Sequence, residues 1–130
     1  MNRRVLLDTH AVLWALSEPK RLGVRLRRLF RDNSFMSLVS TVSLWEILAK
    51  AKSGKLHFTA DPESSLRQHL DDLRPSILPL LLDHVYAAHR LPLLHKDPWD
   101  RLLIGQALAE GAVFATEDES IRQYQVPVIW

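Results

Sequence analysis

The 130-residue chain contains no cysteine, which excludes disulfide bonds and thiolate metal sites. Any metal must therefore be held by oxygen or imidazole ligands. The chain also has no run of about 18 apolar residues, the length that spans a bilayer. The apolar stretch near its start, Val5-Leu6-Leu7, is too short for a signal peptide. We therefore expect a cytoplasmic protein with no membrane contact.

Tight metal-ligand motifs, internal repeats and low-complexity segments are missing as well. The six histidines include no HExxH or similar spacing, so a zinc site is not expected. Hydrophobic residues make up 47% of the chain and charged residues 25%, as in ordinary globular proteins. The length suits one core, so residues 1–130 are predicted to form a single domain.

Charge is unevenly distributed although the net charge is only +2. Residues 1–56 contain 11 Lys and Arg against 4 Asp and Glu, and residues 57–130 contain 6 against 11. Such a split can bring a polyanion to one flank and divalent cations to the other. Solvated helix faces also explain the split, and for charge alone that explanation is preferred.

Short apolar runs alternate with segments of helical periodicity. Strands are predicted at 4–7, 35–39, 77–81, 113–116 and 126–130. Helices are predicted at 10–17, 22–30, from the Ser40 or Thr41 cap to Gly54, and at 63–73, 83–90, 99–110 and 119–123. This alternation predicts an α/β fold with a mostly parallel sheet covered on both faces.

Two acids follow predicted strands. Asp8 ends the strand Arg4-Val5-Leu6-Leu7, and Asp118 follows the strand 113–116 by two residues. Open α/β folds place their sites at the carboxyl edge of the sheet, where such residues meet. Each acid could also simply cap the helix after it, because Asp is a favoured N-cap residue.

Two further acids lie in predicted helices. Glu46 belongs to a largely apolar helix, where an exposed pair with Lys50 is the simplest explanation of it alone. Asp100 shares a helix face with Leu103 and Ile104, and a buried, unpaired carboxylate is costly unless it is compensated. Alternatively, Asp100 satisfies backbone donors in the first turn after the Asp97 cap.

Taken together, the four acids make a stronger case. Helices that follow parallel strands begin at the carboxyl edge, so Asp8, Glu46, Asp100 and Asp118 can converge there. Several carboxylates in one cleft repel each other unless divalent cations lie between them, and Mg²⁺ or Mn²⁺ prefers such oxygen ligands. Ions held in this way activate water and stabilise phosphodiester cleavage.

The order and spacing of several segments resemble those of a known family. The segments are Val5-Leu6-Leu7-Asp8-Thr9-His10, Trp45-Glu46-Ile47, His95-Lys96-Asp97-Pro98-Trp99-Asp100-Arg101-Leu102-Leu103-Ile104, Ala115-Thr116-Glu117-Asp118 and Val126-Pro127-Val128-Ile129-Trp130. Together they cover nearly the whole chain. They are similar to bacterial PIN-domain proteins, in particular the VapC-type toxins of toxin–antitoxin pairs.

The resemblance implies a three-layer αβα sandwich and a Mg²⁺- or Mn²⁺-dependent endoribonuclease that hydrolyses RNA by metal-activated water. It also implies a small antitoxin partner. We expect in addition that the chain forms a homodimer. By position, the family's three core acids correspond to Asp8, Glu46 and Asp100, and its variable fourth acid to Asp118. Thr9 and Thr116 match polar residues near the site. The chain departs from the family pattern at His10 and at Pro98-Trp99, which bears on substrate choice.

Basic and aromatic residues are harder to assign. Arg101, next to Asp100, could contact a phosphate or pair with an acid. Candidate contacts to the RNA backbone are Arg25, Arg28, Lys50, Lys52 and Lys55, although a solvated face is the simpler explanation for each. Helical spacing predicts packing roles for Trp14, Trp45 and Trp99. The lone histidines His10 and His95 lie near the predicted cleft.

Two other functions fit parts of the pattern. A phosphatase would use Asp8 as its covalent nucleophile, but such enzymes usually carry a second Asp two residues later, where this chain has His10. A binding module without catalysis would keep the fold and use its basic half for nucleic acid.

Overall fold

The computed structural model of the chain describes residues 3–130. Its strands form one sheet in the order β3-β2-β1-β4-β5, and every adjacent pair is parallel. The strands are β1 (Arg3–Leu7), β2 (Phe35–Ser40), β3 (Ser76–Leu78), β4 (Val113–Ala115) and β5 (Val128–Ile129). The predicted parallel sheet is confirmed.

Helices cover both faces of this sheet. The α-helices are α1 (Thr9–Ser17), α2 (Val24–Asp32), α3 (Thr41–Lys52), α4 (Pro62–Leu73), α5 (Leu82–Arg90) and α6 (Pro98–Glu110). Two 3₁₀ helices span Pro19–Arg21 and Glu119–Tyr124. None of the helices formed within residues 3–130 has the length and apolar character that a bilayer crossing requires.

The side chains of β1 show how the layers are held together. Leu6 packs on one face of the sheet in a core shared with Leu103 and Ile104 of α6. Val5 and Leu7 point to the opposite face, into a core shared with α1, α2 and α3. Because β1 is central, both of its faces are buried. The predicted three-layer αβα sandwich is therefore confirmed.

Some predicted bounds differ from those observed. The strand predicted at 77–81 ends at Leu78, because Pro79 lacks the N–H that would continue the ladder. The predicted strand at 126–130 pairs only over Val128–Ile129, and the helix predicted at 119–123 is a 3₁₀ helix. The first helix begins at Thr9, one residue early, because Asp8 is its N-cap.

Helix α6 crosses one face of the sheet and is fixed near both ends. At its start, the Asp97 carboxylate accepts the Trp99 N–H at 2.9 Å, and Pro98 occupies the first helical position. At its end, the Glu110 carboxylate binds Arg4 of β1 at 3.0 Å and the buried His84 of α5 at 2.8 Å. The helix therefore has a defined position relative to β1.

The middle of α6 makes two close contacts. The side chain of Gln106 is fully buried and hydrogen-bonds the Ser40 hydroxyl at the end of β2. Gly105 lies directly against α5, since a Cβ at this position would stand 2.6 Å from the Ala88 nitrogen. Only glycine permits this approach of the two helices.

Candidate active site

A cleft of about 740 Å³ opens at the carboxyl edge of the sheet. Its volume lies within the range of roughly 300–1,000 Å³ that is usual for small-ligand sites. The four acids singled out from the sequence all line it: Asp8, Glu46, Asp100 and Asp118. Two further acids, Asp97 and Glu117, line it as well. The predicted convergence of distant carboxylates on one cleft is therefore observed.

Asp8 is positioned by the junction of β1 and β4. The two strands pair Leu7 with Ala115, and the Asp8 N–H donates to the Ala115 carbonyl at 3.0 Å. Its carboxylate caps α1 by accepting the Ala11 N–H at 2.7 Å. Burial raises the pKa of Asp8 above its ordinary value, although hydrogen bonds from Thr116 and Ala11 oppose the shift. Capping and a place in the cleft are thus compatible.

Glu46 is a buried carboxylate with two partners. Only 6% of the residue is exposed. The pair with Lys50 considered from the sequence is formed, but its carboxylate is buried and not exposed. The Thr9 hydroxyl donates to Oε1 at 2.9 Å, and the Lys50 ammonium contacts Oε2 at 2.7 Å. Thr9 is itself buried and also contacts the Ser43 hydroxyl at 3.1 Å. These contacts fix Glu46 in the cleft wall.

Asp100 lies in the first turn of α6. The Asp97 carboxylate, and not that of Asp100, accepts the backbone N–H groups of this turn. The pKa of Asp100 is raised to about 6, first by burial and then by the negative charges of Asp97, Asp8 and Glu46, with His95 opposing. The carboxylate therefore faces other acids across the cleft.

Asp118 is more exposed and caps the 3₁₀ helix Glu119–Tyr124, as one of the alternatives from the sequence proposed. Its Oδ1 accepts hydrogen bonds from the Ser120 N–H at 3.0 Å and the Ser120 hydroxyl at 2.6 Å. His95 lies 3.6 Å from Oδ2, and the Asp118 N–H donates to the Thr116 hydroxyl at 3.2 Å. Thr116 thus links Asp8 and Asp118 through one buried hydroxyl.

The basic residues separate into two groups. Lys50 and Lys55 line the cleft, together with Arg21, which sequence reasoning did not single out. Arg25, Arg28 and Lys52 are exposed but do not line it. The cations of α2 are therefore not part of the cleft wall.

Arg101 has a different role from the one considered. Its guanidinium donates to the carbonyls of Ala88 at 3.2 Å, in the last turn of α5, and of Leu91 at 3.0 Å and Pro92 at 2.8 Å, just beyond that helix. One helical residue turns the side chain about 100° from Asp100, so it points toward α5 and away from the cleft. The pairing with a nearby acid considered from the sequence is not formed, because these carbonyls take up the guanidinium.

Aromatic residues border the mouth of the cleft. Trp14 and Trp130 line it with His10, and their ring centroids lie 5.7 Å apart. Trp14 and Trp99 each pack partly against a core, as predicted. Trp45 is 59% exposed, so the packing role predicted for it is wrong. Its helix, α3, turns this position toward solvent.

The chemistry of the cleft suits a divalent cation. Its donors are carboxylate oxygens, which Mg²⁺ and Mn²⁺ prefer. The nearby Lys50 is already paired with Glu46, and the pKa values of Asp8 and Asp100 are both raised. Within residues 3–130, no three His, Asp or Glu side chains are grouped closely enough to hold an ion. Side-chain movement would have to complete such a site.

Comparison with known proteins gives consistent matches. Residues 5–127 match the sequence profile of the PIN domain. Ribonuclease VapC22 of Mycobacterium tuberculosis is 27% identical over 125 residues, which cover 95% of this chain and 93% of that protein.

Solved structures show the same fold. VapBC2 of Rickettsia felis, bound to a DNA fragment from its promoter, matches with a TM-score of 0.70 and 16% identity, over 97% of each chain. DNA-bound VapBC of Salmonella typhimurium matches with a TM-score of 0.68 and 17% identity, over 99% of this chain and 98% of that one.

Proposed function

The chain belongs to the PIN-domain family, and on that basis we propose that it is a metal-dependent endoribonuclease, the toxin of a toxin–antitoxin pair. The observation that carries the proposal is the convergence of Asp8, Glu46, Asp100 and Asp118 on one cleft. The similarity to a ribonuclease over nearly the whole chain supports RNA as the substrate. The protein would act in the cytoplasm, where its RNA substrate is found.

The acids would hold the ion in different ways. Asp8 and Asp100 would bind it directly, because both line the cleft and a cation would offset the burial that raises their pKa values. Glu46 would complete or orient the site, and Asp118 would bind directly or through water. When bound, Mg²⁺ or Mn²⁺ supplies charge neutralisation at the phosphate and activation of water. We propose Mg²⁺ as the physiological ion, with Mn²⁺ as a substitute.

The remaining residues position these acids and the RNA. Thr9 and Lys50 hold Glu46, and Thr116 orients Asp8 by donating to its carboxylate. Lys55 and Arg21 lie on the cleft wall, where they can bind the phosphates that flank the cleaved bond. The products would carry 5′-phosphate and 3′-hydroxyl ends.

A cleavage assay tests this function. Purified wild type is incubated with a single-stranded RNA in Mg²⁺, beside Asp100→Asn and Asp71→Asn. Asp71 is an exposed acid of α4 and provides a matched acid-to-amide control. We expect cleavage by the wild type and the control only. Equal cleavage by Asp100→Asn, or none by any protein, would contradict the proposal, and a phosphorylated Asp8 would indicate a phosphatase.

An antitoxin would fit a groove on the other side of α1. The groove is apolar, is formed mainly by Ala15, Leu22, Phe30 and Leu73, and carries Lys20 and Arg27 at its sides. This composition suits an amphipathic helix with acidic flanks. Growth of cells that express the chain, with and without the adjacent small reading frame, tests the pairing. Arrest that the neighbour fails to relieve would contradict it.

We also propose a homodimer through the outer face of α5. Leu82, Val85 and Tyr86 lie on this face and are 63%, 40% and 50% exposed, and Leu93 beyond the helix is 88% exposed. A two-fold axis perpendicular to α5 and beside its outer face would place the two helices antiparallel, with Asp83 of each facing Arg90 of the other. Leu82→Glu should yield a monomer by light scattering, whereas Val24→Glu, an exposed residue of α2, should not.

A further inference from the structure

The mouth of the acidic cleft carries a continuous aromatic surface. His10 and Trp14 are four residues apart on α1, and their ring centroids lie 5.7 Å apart at an angle of 42°. Trp130 extends the surface on the other side of Trp14, also at 5.7 Å. All three residues line the cleft together with Asp8 and Asp100, and none is fully buried. We call these three rings the aromatic rim.

The rim is held in place by the surrounding structure. The Trp130 carbonyl accepts the N–H groups of Arg25 at 3.0 Å and Leu26 at 3.3 Å, in the first turn of α2. Its indole lies against Gly23, where an added Cβ would stand 2.5 Å from the ring. Trp14 and Trp130 also pack partly against the apolar core beneath them. The ring positions are therefore fixed before any ligand binds.

A solvent-exposed cation lies over the rim. The Arg21 guanidinium is 4.4 Å from the centre of the Trp14 ring, and its side chain is 56% exposed. Its ion pair with Glu18 is long, at 3.7 Å. Such an exposed arginine can leave the ring and bind a phosphate while another flat group takes its place.

These features match one chemical class of ligand. Aromatic side chains beside cations bind single-stranded nucleic acid, because bases stack on the rings and phosphates contact the cations. Bases in a duplex are already stacked and cannot present a free face. Resting on the proposed ribonuclease function, we infer that the aromatic rim stacks one unpaired base of the RNA next to the phosphate that the acids cleave. The rim would thereby restrict cleavage to unpaired segments.

Abasic RNA gives a direct test. A fluorescein-labelled single-stranded RNA, and copies of it that lack one base at each position in turn, are titrated with protein in EDTA to prevent hydrolysis. We expect the wild type to lose about tenfold in affinity when one particular base is missing. Trp14→Leu keeps apolar bulk but removes the ring, so it should bind intact RNA about tenfold more weakly than the wild type does. Its affinity should then be the same for intact RNA and for the copy that lacks that base.

Trp45→Leu is the matched control, because Trp45 is exposed and lies outside the cleft. It should behave as the wild type does. Retained sensitivity to the missing base in a folded Trp14→Leu protein would overturn the inference. Should that variant not fold, quenching of wild-type tryptophan fluorescence by intact RNA, lost with the abasic copy, supports stacking, and equal quenching by both refutes it. RNA cleavage by wild type, measured separately, decides the proposed function.

Discussion

The hydroxyl of Thr9 donates a 2.9 Å hydrogen bond to the buried carboxylate of Glu46, on a different helix. The two residues are 37 positions apart in the sequence, and α1 and α3 bring them together behind the cleft. This bond leaves Glu46 with one fixed oxygen and one oxygen paired with Lys50. It therefore provides a way to disturb an acid of the cleft without changing the acid itself.

Replacement of Thr9 by valine removes this bond at nearly constant volume. We expect unfolding in urea to show a loss of about 1–2 kcal/mol, because a buried charged acceptor loses its donor. RNA cleavage should fall about tenfold, as when other residues that orient metal ligands are removed. Thr59→Val, at an exposed position, should change neither. An unaltered cleavage rate in Thr9→Val would show that Glu46 does not need this support.

The raised pKa of Asp100 predicts a specific dependence of stability on pH. Its folded pKa of about 6 exceeds the ordinary 3.8, so the folded protein binds the proton more tightly. The resulting stabilisation is complete below pH 3.8 and is lost as the pH rises through about 6. Asp8, with its pKa also raised, acts in the same direction.

In EDTA, Asp100→Asn should therefore be more stable than wild type at pH 7, by about 1 kcal/mol after allowance for its partial exposure. The difference should shrink toward pH 4. Urea unfolding at both pH values measures it. The reverse order of stability at pH 7 would mean that Asp100 is already compensated in the protein without metal.

Divalent cations should offset the loss of stability that the buried, ionised carboxylates of the cleft cause at neutral pH. EDTA is expected to abolish RNA cleavage, and Mg²⁺ or Mn²⁺ to restore it. Because the ion binds the folded acids, it should also stabilise the protein, by about 2.7 kcal/mol at one hundred times its dissociation constant. Thermal unfolding with and without Mg²⁺ checks this, with Asp8→Asn as the comparison. A wild-type thermal unfolding midpoint that does not change with Mg²⁺ would argue against a cation in the cleft.

Arg101 should matter for stability and not for chemistry. Lysine cannot reproduce the fork of contacts to three carbonyls, so Arg101→Lys should lose about 1–2 kcal/mol in urea unfolding. The cleavage rate of the folded protein should stay unchanged. Arg31→Lys, at an exposed position of α2, is the control. Loss of cleavage without loss of stability would restore a phosphate role.

The parallel sheet and the convergence of the four acids on one cleft could be predicted from the sequence, for a physical reason. Buried parallel strands are short, apolar and end in polar residues, and all their carboxyl ends share one edge. The same rule could have identified Trp130 at the mouth of the cleft, since it follows the last strand of that sheet. That signal was present in the chain and unused.

The direction of a side chain could not be predicted from the sequence where it depends on the packing of neighbouring helices. The spacing of Trp45 and of Arg101 is compatible with several directions, and only the packing of α3 and α6 selects one. Arg21 reaches the cleft because the 3₁₀ helix at Pro19–Arg21 folds back over Trp14. No periodicity encodes such a return. The second partner of Glu46, Thr9, likewise required two helices to be in register.

The contact between Gly105 and Ala88 extends the sensitivity of the cleft well beyond its walls. Gly105 lies five residues along α6 from Asp100, so any sideways shift of the helix at this point is transmitted to the carboxylate. A single added methyl group would meet the α5 backbone at 2.6 Å and would have to force the two helices apart. A variant could therefore be inactive although it retains every acid of the cleft. Its defect would lie in the distance between α5 and α6, which does not depend on any polar side chain.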